Sequence, residues 1–285
     1  MKPAVFKYFA PRTVDNALAL LAEHGDEGKI LAGGQSLVPT MNFRLARPAS
    51  LIDINRIGAL DYVREEGETL CIGALARHRR FETPVAAGAL AEFLPYVARH
   101  IAHVPIRTRG TFCGSVAHAD PASEWCLVAA TLDAELVIAS QRGTRCLRPE
   151  EYFVTALTTA LEPDEILTEI RLPLLDDGWR SGFAEFSRRA GDYALAMCAV
   201  FLRVEDGKIV DARLGIGGAA DRASRIAAAE ELLIDSDGGP DIRREAGNIA
   251  AEAIEPLEDV QANAAFRRDL VRAMVGRALA QALAQ

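Results

Sequence analysis

Residues Thr111–Glu124 read TFCGSVAHADPASE, and well upstream Ala32–Leu37 reads AGGQSL. Each is a run of small residues with short hydroxyl or amide side chains, set between apolar segments. Small residues let a ligand come close to the backbone, and glycine tolerates the turns that aim successive N–H groups at one anion. Two such loops meeting across a fold make a clamp for a diphosphate. A single glycine-rich loop is weak evidence, because most are ordinary turns. The fold must therefore bring Gly33 and Gly34 to Gly114.

Composition narrows the setting. With 285 residues, half of them hydrophobic, the chain can bury two ordinary domains or one large domain with a smaller companion. A net charge of −8, with basic residues scattered, argues against nucleic acid or an anionic membrane as the main partner. Cys71, Cys113, Cys126, Cys146 and Cys198 form an odd set without a C-x-x-C spacing. That fits neither a disulfide framework nor a zinc or iron–sulfur site, so reduced thiols in a cytoplasm are expected. His100, His103 and His118 match no common zinc spacing either, and no metal site is expected. The N-terminus lacks a signal-peptide core, and no stretch reaches the ~20 apolar residues of a membrane span. A soluble, intracellular protein is the expectation.

Along the chain, Val5–Tyr8, Lys29–Leu31 and Leu51–Ile54 read as short strands. Thr13 can cap a helix with Val14, Ala17, Leu18, Leu21 and Ala22 at helical spacing. Leu70–Ile72 is a strand, Phe93–Ile101 a helix, and Ile106–Gly110 a turn. Trp125–Leu132 predicts a short helix, Ala134–Ala139 with Thr144–Leu147 a hairpin, and Glu165–Leu172 a strand. Composition changes at Leu174–Arg180. Beyond it, Tyr193–Val204 and Ile209–Ile216 flank a turn as an antiparallel hairpin, and Arg225–Ile234 is helical. The last segment places Phe266, Leu270, Val271, Met274, Val275, Ala278, Leu279, Ala282 and Leu283 on one helical face, packed on the hairpin.

AGGQSL, TFCGSVAHADP, DEILTEIRLP at Asp164–Pro173 and SRRAGDYA at Ser187–Ala194 occur in the order found in one family. The chain resembles, over essentially its whole length, the FAD-binding medium subunit of the molybdenum hydroxylases (carbon monoxide dehydrogenase and xanthine dehydrogenase type). The resemblance implies an α+β fold. A two-lobed FAD-binding domain of the vanillyl-alcohol-oxidase kind spans 1–175, with lobes of about 1–57 and 58–175. A small C-terminal domain of antiparallel strands and helices follows over 176–285.

It also implies roles. Ala32, Gly33, Gly34, Gln35, Ser36 and Leu37, with Thr111, Gly114 and Ser115, match the segments holding the FAD diphosphate through amides and short hydroxyls. Glu124 stands where the family has an Asp contacting the adenosine part. Asp120 lies in the same loop, and both carboxylates can accept from ribose hydroxyls. Ile101 and Leu167 match positions near the isoalloxazine, and Asp192 and Tyr193 match the GDY segment beside that ring. His118 joins this set, and is expected to order the loop by bonding backbone carbonyls. No residue is assigned a catalytic role.

Three positions depart from the family pattern. Cys113 replaces the first glycine of the second loop, which would cost about 1 kcal/mol or more if φ is positive there. Glu185 stands where relatives often have Lys. Gln35 replaces a His found in some relatives, so covalent flavin attachment is not suggested.

The resemblance implies an electron-transferring flavoprotein subunit. Molybdopterin cofactor is expected in a large partner subunit and two [2Fe–2S] clusters in a small one, in a dimer of heterotrimers, with electrons leaving FAD for an external acceptor. A self-sufficient FAD-dependent oxidase or reductase, and an assembly subunit that has lost FAD, are the alternatives.

Overall fold

The computed structural model describes residues 2–285. Near the N-terminus, β1 (Lys7–Phe9), β2 (Gly28–Leu31) and β3 (Ser50–Asp53) form a parallel sheet in the order β1-β3-β2. Parallel strands need crossover connections, and α1 (Val14–His24) joins β1 to β2, the two edges that flank β3. Thr13 caps α1 by accepting from the Asn16 N–H, and the helix buries Ala17, Leu18 and Leu21. After β2 the chain runs through residues 32–36 into the short α2 (Leu37–Asn42).

The second lobe is an antiparallel sheet, β4 (Val63–Glu66), β5 (Thr69–Gly73), β6 (Glu135–Ser140), β7 (Gly143–Leu147) and β10 (Ile166–Pro173), in the order β4-β5-β10-β6-β7. Its helices are α3 (Leu90–Ala98), α4 (Val104–Arg107), α5 (Phe112–His118), α6 (Glu124–Thr131) and α7 (Pro149–Tyr152). A two-stranded ribbon, β8 (Phe153–Thr155) with β9 (Thr158–Thr159), leads back towards β10. Phe112 stacks on Trp125 with ring centroids 4.5 Å apart, and Phe81 lies 5.2 Å from Trp125. This aromatic knot fixes α5 and α6 to each other.

Beyond residue 178, β11 (Trp179–Phe186), β12 (Ala196–Glu205), β13 (Lys208–Gly217) and β14 (Ser224–Arg225) form an antiparallel sheet in chain order. Strand β12 is buried on both faces. Met197, Ala199 and Phe201 join the core of the preceding lobe, while Cys198, Val200 and Leu202 join a second core with the final helices. This is why the run AMCAVFL is apolar without alternation. The second core is closed by α8 (Ala227–Leu233), α9 (Pro240–Glu252) and α10 (Ala264–Leu283). Gly182 on β11 lies under the Ala278 carbonyl of α10, leaving no room for a Cβ.

Several expectations shift. Half of the stretch read as a second loop, Phe112–His118, is helix α5, and only 119–123 remain loop before α6. Helix α3 starts earlier than its apolar pattern predicts and accommodates Pro95. The turn at Ile106–Gly110 begins within α4. Strand β11 and helix α9 are not among the expected elements, and Pro240 occupies the first turn of α9, where its missing N–H costs nothing. On α10, Phe266 is 43% exposed and Arg267 is buried instead.

Candidate functional site

The loop after β2 meets the start of α5. Gly33 packs on the main chain of Arg109 and Gly110, where a Cβ would stand 2.5 Å from the Arg109 carbonyl oxygen. Gly34 adopts φ +71°, which favours glycine. Gln35 folds back, its Nε2 donating to the Gly33 carbonyl at 3.0 Å. Asn55 donates to the Ala32 carbonyl at 2.8 Å, and the Arg77 guanidinium bridges Asn55 Oδ1 and the Arg109 carbonyl. The first loop is thus tied to both lobes.

Thr111 is the N-cap of α5, its Oγ1 accepting the Gly114 N–H at 3.0 Å. A Cβ on Gly114 would stand 2.5 Å from that Oγ1, so the cap itself calls for glycine. Cys113 sits inside the helix, absent from the positive-φ residues, with its Sγ 3.4 Å from the Ile72 carbonyl. The strain anticipated for a side chain at this position does not arise, because the backbone is helical.

Three adjoining cavities follow this junction. One of ≈ 290 Å³ is lined by Ala32, Gly33, Gly34, Gln35, Asn55 and Arg109, among others. One of ≈ 260 Å³ is lined by Gln35, Ser36, His78, Ile101, Ser115, His118, Asp120, Glu124, Asp192 and Tyr193, among others. One of ≈ 460 Å³ includes Ala32, Cys113, Gly114 and Leu167. The first and second share Gln35, and the first and third share Ala32. Leu37 and Thr111, named from the sequence, line none of the three: Leu37 opens α2 and Thr111 is buried as a cap. The His118 ring lines the second cavity, and it makes no hydrogen bond to the backbone carbonyls it was expected to order.

The C-terminal domain closes one side. Gly191, at φ +83°, leans on Ala102 and His103, where a Cβ would lie 2.6 Å from His103 Nδ1. This brings Asp192 and Tyr193 to the second cavity, with Tyr193 65% exposed at its rim.

Two features of the site were not read from the sequence as such. Glu124, in the first turn of α6 behind the Ser123 cap, has its carboxyl pushed up to about 8 by burial and by the charge of Glu185. Burial pushes Glu185, on β11, up to about 7, and its Oε2 has no hydrogen-bond partner. Two carboxylates that disfavour each other's charge share the wall between the domains. The second feature is His78, 3% exposed, whose Nδ1 accepts from Trp125 Nε1 at 2.9 Å. Burial, with the charges of Arg77 and Arg107, drives it down to about 3, so the ring is neutral. In the sequence it is one residue of the basic run ARHRRF, which reads as surface.

No His, Cys, Asp and Glu cluster among the described residues could hold a metal ion. All five cysteines are free thiols. Among the described residues, no helix is long and apolar enough to cross a membrane.

Glycines that admit a close ligand, short hydroxyls and two lobes lining adjoining cavities make a dinucleotide-binding site. Residues 4–175 match the family model of the FAD binding domain in molybdopterin dehydrogenase, and residues 181–282 match the CO dehydrogenase flavoprotein C-terminal domain. The chain is 40% identical to the 6-hydroxypseudooxynicotine dehydrogenase complex subunit alpha of Paenarthrobacter nicotinovorans, over 99% of this chain and 96% of that one. It is 33% identical to the carbon monoxide dehydrogenase medium chain of Hydrogenophaga pseudoflava, over 100% and 99%. The solved carbon monoxide dehydrogenase of that organism superposes with a TM-score of 0.96 at 35% identity, covering 100% of this chain and 99% of that one. The chain belongs to the FAD-binding medium subunits of the molybdenum hydroxylases, a family of oxidoreductase subunits.

Proposed function

We propose that this subunit takes electrons from [2Fe–2S] clusters of a small partner subunit and passes them to an external acceptor. The oxidation itself would occur at a molybdopterin centre in a large subunit. The observation that carries this reading is the groove formed where Gly33 abuts Arg109 and Gly110 and is continued by Gly114, Ser115 and Tyr193. FAD supplies two-electron and one-electron chemistry in one group, which suits a junction between clusters and a diffusing acceptor.

The residues fit that cofactor. Gly33, Gly34 and Ser36 admit the diphosphate close to the main chain, with Gly114 and Ser115 opposite. Asp120 and Glu124 offer acceptors to sugar hydroxyls. Ile101, Leu167 and Tyr193 provide apolar and aromatic surface for the ring system, with Gln35, His118 and Asp192 at its polar edges. Tyr193, exposed at the rim, would offer its ring to one face of the flavin and control the approach of the acceptor. The FAD-binding unit would run over 1–175 and the C-terminal unit over 176–285.

The relatives support a role independent of substrate. Chains 38–40% identical to this one are named for 6-hydroxypseudooxynicotine, nicotine and caffeine, and one at 33% for carbon monoxide. Such different molecules share a medium chain of one kind because the substrate is chosen elsewhere. A dimer of heterotrimers in the cytoplasm completes the proposal, and the five unpaired thiols are in keeping with that compartment. Affinity purification from the native host tests it. Co-purification of a molybdopterin subunit and a cluster-bearing subunit, with flavin bleached on substrate addition, is expected. Recovery of this chain alone, turning over an organic substrate, would overturn it in favour of a self-sufficient oxidase.

A further inference from the structure

His78 is held from three directions. Its main-chain N–H donates to the Gly110 carbonyl at 3.0 Å, and its Nδ1 accepts the Trp125 indole N–H. Its Nε2 edge fills the place where Gly110 would otherwise carry a Cβ. A neutral imidazole has one donor and one acceptor, and the indole takes the acceptor. The ring proton is therefore on Nε2. That Nε2–H has no partner among the described residues, and the ring lines the cavity shared with Ser36, Ser115 and Tyr193. A residue only 3% exposed, with its tautomer set from behind, thus carries one unpaired donor in the wall of the groove.

We propose that His78 is a cofactor-binding residue, whose Nε2–H donates to an acceptor atom of the bound FAD, with Trp125 as the positioning residue that fixes its tautomer. The inference rests on the FAD reading of the groove. An uncharged donor suits the place: a cation there would bury a charge beside Arg77 and Arg107, whereas a neutral N–H costs no desolvated charge. Leaving this donor unpaired once a ligand excludes water would be unfavourable, so the ligand must carry an acceptor opposite it.

The test uses the full chain, stripped of flavin and titrated with FAD by quenching of flavin fluorescence. His78→Leu is expected to weaken FAD by about tenfold or more, as for loss of a buried hydrogen bond. His78→Gln, which keeps a donor, should recover part of the loss. Trp125→Phe, which keeps His78 but frees its tautomer, should fall between the wild type and His78→Leu. In a chain labelled with ¹⁵N-histidine, FAD should shift the Nε2–H resonance and slow its exchange with water. Parallel titrations with ADP and riboflavin assign the acceptor to the diphosphate or the ring, according to which of them the Leu variant weakens. Folded His78→Leu binding FAD as tightly as wild type, or an unmoved Nε2–H signal on saturation, overturns the inference alone. A wild-type chain that takes up no FAD overturns both this and the reading beneath it.

Discussion

Gly33 and Arg109 meet backbone to backbone: a Cβ on the glycine would lie 2.5 Å from the arginine carbonyl oxygen and 2.6 Å from Cα of Gly110. Neither contact is with a flexible side-chain tip, so an added methyl must separate the loops. Gly33→Ala is therefore expected to weaken FAD binding by roughly 10- to 100-fold, in line with about 1–3 kcal/mol for overpacking. Equilibrium titration measures it. The C-terminal domain, which has a core of its own, should keep its secondary structure by circular dichroism. FAD affinity equal to wild type would show that the loops do not act as a clamp.

Glu124 and Glu185 give a pH dependence whose sign follows from their direction of shift. Both carboxyls titrate above the ordinary 4.5: Glu124 at about 8, for burial and the charge of Glu185, and Glu185 at about 7, for burial. Between those limits the folded chain holds a proton that the unfolded chain has released, so stability falls as pH rises from 4.5 towards 8. Glu185→Gln removes one charge without changing shape. In the flavin-free chain it should raise Tm at pH 8 by on the order of 2–4 °C and leave Tm near pH 4.5 unchanged. Calorimetry across the range checks this, and parallel curves for the two proteins would refute it.

What the sequence made legible depends on how local each cause is. The unbroken apolar run of β12 and the helical stripe Leu270–Ala282 of α10 are each local to their own segment, and both stand where expected. Helix α5 has no such pattern. TFCGSVAH is small and mixed, and what makes it helical is the Thr111 cap on Gly114 together with Phe112 stacked on Trp125. The loops were found because glycine and serine announce close approach. Glu185 was noticed only as a departure from a pattern, because its neighbour Glu124 belongs to the other domain. Nothing in ARHRRF distinguishes a buried, tautomer-locked His78 from its solvated neighbours. Strand β11, WRSGFAEF, sends Trp179 and Phe183 to one core and Ala184 and Phe186 to the other, so no period-two pattern marks it.

The five thiols differ sharply in access. Cys71, Cys113, Cys126 and Cys198 are buried, and burial pushes their thiols up, Cys126 to about 12. Cys146, on the outer strand β7, is exposed, although burial and the Glu135 carboxylate still raise it. A thiol-reactive reagent should therefore modify one cysteine rapidly in the native chain and all five in denaturant. Cys146→Ser should abolish the fast phase. Rapid native modification of Cys113 would contradict its place inside α5.

Arg267 holds together the loops that flank the site. It is 3% exposed, donates from Nη1 to the Leu195 and Gly218 carbonyls, each at 2.8 Å, and pairs through Nη2 with Asp259 at 2.7 Å. Leu195 follows Tyr193 by two residues, and Gly218 directly follows β13, so one guanidinium from α10 fixes the entry to β12 and the exit from β13. Arg267→Met keeps the length of the stem but strands two buried carbonyls and frees Asp259. The expected cost is about 3–5 kcal/mol of stability, as for breaking a buried, hydrogen-bonded charge. Urea denaturation measures that cost. Because the first loop, α5 and His78 are held by contacts outside α10, residual FAD binding below the unfolding midpoint should persist while fluorescence quenching by Tyr193 weakens. Loss of stability below about 1 kcal/mol, the range of an exposed ion pair, would mean that the guanidinium is not the tie the geometry makes it.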